Sequence, residues 1–135
     1  MAKVLPIFSP AGAKNCRPWF LFGVDPLLAV PLWAAAVDHN AANPNAPVVF
    51  TEGLRTAERQ ASLRASGASQ VAQSKHQIGM AVDVAILSRG EVVADLEDYR
   101  VFWQRVRQYD HSKRIRWGGD WPFLRDGCHF ELCLS

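Results

Sequence analysis

Two short segments hold the side chains best suited to chemistry, at spacings that let them act together. One is Ser74-Lys75-His76-Gln77-Ile78-Gly79-Met80-Ala81-Val82-Asp83. The other is Trp117-Gly118-Gly119-Asp120-Trp121, followed by Asp126-Gly127-Cys128-His129-Phe130. Zinc sites that catalyse hydrolysis use three nitrogen or oxygen ligands from the protein and keep a fourth position open. His76, Asp83 and His129 can supply such a set. Asp83 lies in an otherwise apolar stretch (Ala81, Val82, Val84, Ala85, Ile86), where an unpaired carboxylate would be costly and so needs a metal or a cation. Asp126 stands three residues before His129, close enough to sit beside a metal without binding it. A carboxylate there can take a proton from an attacking water and pass it to a leaving amine.

The elements that must position these residues follow from caps and hydrophobic spacing. Asp25-Pro26 is an N-cap with proline at the first helical position, which opens a helix to about His39. Pro31 removes a hydrogen bond there and is expected to kink it. Asn40 to Pro47, with Asn43-Pro44-Asn45 inside, is predicted as loop. Val48-Val49-Phe50 is predicted as a buried strand leading into Thr51-Glu52-Gly53-Leu54-Arg55. Thr56 caps a short helix, Ala57 to Ser66, which Gly67 ends. Ser69 to Gln77 is polar and reads as loop. Met80 to Leu87 alternates as a strand and turns through Ser88-Arg89-Gly90-Glu91 toward Val92-Val93. From about Asp95 to Tyr109, the residues Leu96, Tyr99, Phe102, Trp103, Val106 and Tyr109 form one apolar helical stripe. Ile115 to Trp117 and His129 to Leu132 complete the strands. Helices and strands mix without a regular βαβ repeat, so the class is α+β.

The pattern Ser-x-His-x-x-Gly-x-Ala-x-Asp, followed by Asp-x-x-His, resembles that of the zinc peptidases that cut bacterial cell-wall peptides: the D-alanyl-D-alanine carboxypeptidases and the phage L-alanyl-D-glutamate endopeptidases. The resemblance spans roughly Asp25 to Leu132, because Thr51-Glu52-Gly53-Leu54-Arg55-Thr56 and Gln60 also look like the family's upstream block. Met1 to Gly23 matches nothing in it. The resemblance implies a mostly antiparallel sheet packed by helices, of the hedgehog and D-Ala-D-Ala-peptidase kind, with one zinc ion on His76, Asp83 and His129. It makes Asp126 the general base and acid, and Arg55 the arginine that steadies the substrate carbonyl as it becomes an oxyanion. A fixed guanidinium suits a developing negative charge. The segment from Trp117 to Trp121 looks like the wall beside the cleft. Gln60, Ser74, Trp117 and Asp120 are then candidates for binding the substrate, a peptidoglycan stem peptide. The upstream block and the Asp base look most like the phage enzymes and their L-alanyl-D-glutamate bond. Trimming of terminal D-alanine is the alternative, and an inactive wall-binding module is the alternative from another class.

At single residues, other readings stay open. Asp126 also suits a turn before Gly127. Arg55 also suits a surface pair with Glu52 or Glu58, and Gln60 a solvated helix position. Glu131 shares a face with His129 and is the alternative base. Cys128 neighbours His129 on a strand and so faces the other way, as a small buried residue. His39 suits the cation-favouring end of a helix, and His111 lies in a polar turn.

Composition bounds the rest. The 135 residues are 49% hydrophobic and 21% charged, which fits one peptidase domain over residues 1–135 with its own core. A net charge of +2 excludes the strongly basic footprint of a general nucleic-acid binder. Between Arg100 and Arg116, six basic residues and one acidic residue give a local net of +5. That segment reads as a solvated helix face or as a patch attracting anionic wall or outer-membrane components. The three cysteines are too few and odd for a disulfide framework, which suits a reducing compartment. Pro6 and Ser9-Pro10 break the N-terminal apolar run, and Asp25, Pro26 and Pro31 interrupt Phe20 to Val37, so neither a signal peptide nor a membrane span is expected. The expectation is a monomer made in the host cytoplasm that acts on the periplasmic wall, released through a holin pore or carried in a virion.

Overall fold

A computed structural model describes residues 16–67 and 74–134. The N-terminal segment through residue 15 and the loop predicted at 69–73 lie outside the described residues. Helix α1 (Pro26–Ala42) starts as its cap predicts: Asp25 Oδ1 accepts the Leu27 N–H at 2.9 Å, and Pro26 sits where no N–H is needed. The helix runs through Pro31 and past His39. The extension has a tertiary cause. Asn40, expected in a loop, is buried, and its amide accepts the Val48 N–H at 2.7 Å and donates to the Val48 carbonyl at 2.9 Å. His39 is buried too, and burial lowers its pKa, so it is not a cation serving the helix dipole.

Strands β1 (Val48–Glu52), β2 (Ala81–Ser88), β3 (Glu91–Val92), β4 (Ile115–Trp117) and β5 (His129–Leu132) pair antiparallel in the order β1-β2-β5-β4, with β3 added to β2. Helices α2 (Ala57–Ala65) and α3 (Leu96–Tyr109) complete the α+β fold. Tyr99, Phe102, Trp103 and Val106 of α3 are buried, as their stripe predicts. Phe102 meets Phe130 edge-on at 5.6 Å, and Trp103 stacks on Trp117 at 6.4 Å. Each such side chain contributes about 1.5–3 kcal/mol by leaving water, so this face fixes how α3 sits on the sheet.

Antiparallel partners share a face, and that places the polar residues. Phe50 pairs with Val84, and Phe130 pairs with Val82 and Trp117, all on the core side. On the opposite side, Asp83 pairs with Glu52 and His129, giving a polar row across three strands. The next row is Ala81, Glu131 and Arg116. A register shift between Phe50 and Glu52 makes the first row possible, because regular alternation would turn Glu52 to the core with Phe50.

The basic segment is partly neutralised. Arg105 pairs with Asp38 at 2.7 Å, Arg100 pairs with Glu97 at 3.1 Å, and Arg107 lies over Trp103. Among the described residues no helix is long and apolar enough to cross a membrane.

Candidate metal centre

His76 arrives on a single 3-10 turn, Lys75–Ile78, inside the stretch predicted as loop. Ser74 and Gln77 cap it reciprocally: Ser74 Oγ accepts the His76 N–H at 3.1 Å, and Gln77 Oε1 accepts the Ser74 N–H at 2.9 Å. The Ser-x-x-Gln spacing is the signal for this turn. The His76 ring donates Nδ1–H to the Gly53 carbonyl at 2.9 Å. Because a carbonyl only accepts, the neutral ring has its lone pair on Nε2, which stands 3.3 Å from Asp83 Oδ2. His129 is arranged the other way round. Its Nε2–H donates to Glu131 Oε1 at 3.0 Å, and its Nδ1 stands 3.0 Å from Asp83 Oδ1.

The donor atoms of His76, Asp83 and His129 lie within 4.8 Å of one another. A tetrahedral ion with bonds of roughly 2.0–2.2 Å holds its ligand atoms about 3.3–3.6 Å apart, so this set fits a zinc-sized ion. The outer nitrogen of each imidazole is hydrogen-bonded, which is the arrangement that orients metal-binding histidines.

Without an ion, the charges of these groups balance one another. Burial alone would raise the pKa of Asp83, but hydrogen bonds from His129 and His76 hold its carboxyl well below the usual range. Burial opposes charge on His129, yet Asp83 and Glu131 win and push its pKa up to about 9. Glu131 is held down to about 2 by His129, with Lys75 adding to the effect against partial burial. Asp126 is pushed up, first by the protein packed around it and then by the Asp83 charge. It sits in the turn entering β5, where its carbonyl accepts the His129 N–H at 3.2 Å and its N–H donates to Gly118 O at 3.1 Å. A Cβ on Gly118 would collide with that Asp126 carbonyl, so the close approach of the two segments requires glycine.

The other predicted site residues divide clearly. Arg55 is buried 3.9 Å from Asp83 Oδ2, with Glu52 accepting from Nε and Nη2 at 2.8 Å each and Gln60 accepting from Nη1. The pair with Glu52 therefore exists, but beside Asp83 rather than at the surface. Gln60 is neither solvated nor open to substrate: it is fully buried behind Arg55. Ser74 caps the His76 turn. Trp117 needs correction as a wall residue, because only 1% of it is exposed and its Nε1–H donates inward to Gly127 O at 2.8 Å. Of the two tryptophans, Trp121 is the one beside the donor set, with its ring 5.1 Å from that of His129. Asp120 approaches Arg100 at 3.8 Å and lines a groove of about 430 Å³ with Trp103, Arg107, Lys113 and Arg116, which none of the three donor residues lines. Cys128 lies in the turn before β5 rather than on the strand, and is half-buried against the core. Sequence reasoning gave Lys75 no role, met Glu52 only as a surface partner of Arg55, and met Trp121 only within the tryptophan–glycine block. The signal for Glu52 is its spacing of three residues from Arg55.

Gly53 carries a second consequence of close packing. A Cβ there would collide with the Phe20 carbonyl oxygen, and relief would move the Gly53 carbonyl off His76. Gly53→Ala is expected to cost roughly 1–3 kcal/mol of stability and to weaken metal binding as well. Calorimetric melting and a zinc titration on the same sample measure both; a variant with a wild-type melting point and zinc affinity would contradict this.

The profile of the peptidase M15 family, described as D-alanyl-D-alanine carboxypeptidase, matches residues 66–132. The crystal structure of the Serratia marcescens L-Ala D-Glu endopeptidase ChiX superposes with a TM-score of 0.69 at 32% identity, covering 93% of this chain and 88% of that one. The Bacillus subtilis peptidoglycan L-alanyl-D-glutamate endopeptidase CwlK is 29% identical over 114 residues, 73% of this chain and 68% of the relative. An L-alanyl-D-glutamate peptidase of Listeria phage A118 is 35% identical over 86 residues, 63% of this chain but 30% of the phage protein.

Proposed function

The chain belongs to the peptidase M15 family of zinc metallopeptidases, and on that premise we propose that it hydrolyses the L-alanyl-D-glutamate bond in the stem peptides of bacterial peptidoglycan. The observation that carries this reading is the convergence of His76, Asp83 and His129 on one point of the sheet, in a chain that aligns along most of an L-Ala D-Glu endopeptidase. In this reading His76 Nε2, the Asp83 carboxylate and His129 Nδ1 hold one zinc ion. When bound, zinc supplies the Lewis acidity that polarises a carbonyl and makes water nucleophilic near neutral pH.

The chain's own groups do the rest. Asp126 accepts the proton of the attacking water and returns it to the departing D-glutamate amine. Arg55 presents a fixed positive charge to the carbonyl oxygen as negative charge develops on it. Glu52 and Gln60 act through Arg55 by holding the guanidinium still. Trp121, packed beside His129, walls the cleft where the stem peptide lies. We read residues 1–135 as one monomeric peptidase domain. The Listeria phage relative supports a phage setting, in which we place the chain as an endolysin released through a holin pore.

The matched family's description favours a second reading, carboxypeptidase action on terminal D-alanine. Digestion of purified peptidoglycan by the zinc-loaded chain, followed by mass spectrometry of the new termini, separates the two. New N-terminal D-glutamate is the expected product. Release of free D-alanine alone would establish the carboxypeptidase, and no product at all would overturn both peptidase readings.

A further inference from the structure

Glu131 and Lys75 lie next to the donor set, and the mechanism above does not use them. Both oxygens of Glu131 are engaged: Oε1 accepts from His129 Nε2 at 3.0 Å, and Oε2 accepts from Lys75 Nζ at 2.7 Å. Lys75 Nζ also donates to the Leu132 carbonyl at 3.2 Å, so the ammonium is anchored to β5 at two successive residues. Lys75 immediately precedes His76 and sits on the same turn. The pair thus ties the segment carrying one imidazole to the strand carrying the other. Sheet register fixes this, because Glu131 lies two residues from His129 on the same face, opposite Ala81.

We propose that Glu131 is a positioning residue that fixes the neutral, metal-binding form of His129 in the tautomer with its proton on Nε2 and its lone pair on Nδ1, and that Lys75 holds the Glu131 carboxylate in place for this task. A neutral imidazole carries one proton, and the nitrogen that donates a hydrogen bond cannot ligate a metal. A carboxylate at Nε2 therefore directs Nδ1 toward Asp83 and the ion, and makes that nitrogen a better donor. His76 uses the opposite arrangement with a neutral partner, the Gly53 carbonyl at Nδ1. The two histidines thus offer different nitrogens to the same point. With both oxygens committed, Glu131 is not the alternative base that its position on the strand allowed.

This inference rests on the zinc reading of the site, and its test separates the two. Zinc affinity is measured by competition with a chromophoric chelator for the full chain and for Glu131→Leu, Glu131→Gln and Lys75→Met. Long-range proton–nitrogen NMR spectra of the zinc-loaded proteins report which imidazole nitrogens carry protons. Glu131→Leu is expected to weaken zinc binding about 10–100-fold and to expose the His129 Nε2 proton to fast exchange, while the His76 Nδ1 proton persists. In Glu131→Gln the amide oxygen still accepts from Nε2, so the tautomer is retained and the affinity recovers most of the loss. Lys75→Met is expected to fall between the two. Wild-type affinity with an unchanged Nε2–H signal in Glu131→Leu would overturn the inference, as would a Glu131→Gln variant no better than Glu131→Leu. A wild-type chain that binds no zinc would instead overturn the reading beneath it.

Discussion

Asp126→Ala is expected to lower peptidoglycan hydrolysis by about 10²–10⁴-fold, the usual contribution of a positioned general base, while bound zinc stays at the wild-type level. The separation of these effects follows from how Asp126 is held. It is outside the donor set, and its backbone makes the two hydrogen bonds that shape the turn, to Gly118 and from His129. Among the described residues, the carboxylate itself accepts only the Cys128 N–H, at 3.2 Å and in an exposed setting. Its loss should therefore cost no more than about 1 kcal/mol of stability. Asp126→Asn sharpens the test, because the amide keeps that acceptor and the shape of the side chain but cannot take a proton. Both variants should melt near the wild type, hold zinc by elemental analysis and release few new N-termini. Near-wild-type turnover by Asp126→Asn, or loss of zinc from either variant, would remove Asp126 from the base role.

Which parts of this site the sequence could reveal depended on whether the signal was local. Asp83 stood out because a carboxylate inside an apolar strand is expensive, and the structure places it between two imidazoles. The helix stripe of α3 was equally readable, since its period sits within one element. Partners distant in sequence were not. Gln60 and Asn40 look like solvated polar residues until Arg55 and the Val48 backbone are brought to them. Lys75 and Glu131 are separated by 56 positions and meet only through the pairing of β2 with β5. The register shift that turns Glu52 toward Asp83 leaves no mark in residue type. Trp117 is a different case, because the signal was present. Ile115 and Trp117 alternate around exposed Arg116, and that period already turns Trp117 into the core and leaves Trp121 for the cleft. The resemblance of the whole tryptophan–glycine block to a cleft wall hid which of its two rings faces the metal centre.

Zinc uptake is expected to strengthen about tenfold for each pH unit until about pH 9 and to level off above it. The metal-free protein sets this slope. Its His129 carries a proton on each nitrogen, one donated to Asp83 and one to Glu131, and these carboxylates hold the imidazolium against burial until about pH 9. An ion binding at Nδ1 must expel the proton shared with Asp83, so below pH 9 each uptake releases one proton from this ring. Above that pH the proton has already left. Asp83 contributes none, because its hydrogen bonds to His129 and His76 keep it ionised across this range. Asp83→Asn should therefore act twice. It removes a charged ligand and weakens zinc at every pH, and it also removes the main partner that holds the His129 proton, so the levelling point moves below pH 9. Competition titrations from pH 6 to 10, paired with calorimetry in buffers of different ionisation enthalpy, would read both the slope and the proton count. A flat profile in the wild type, or an unchanged levelling point in Asp83→Asn, would show that the Asp83–His129 contact does not compete with the metal.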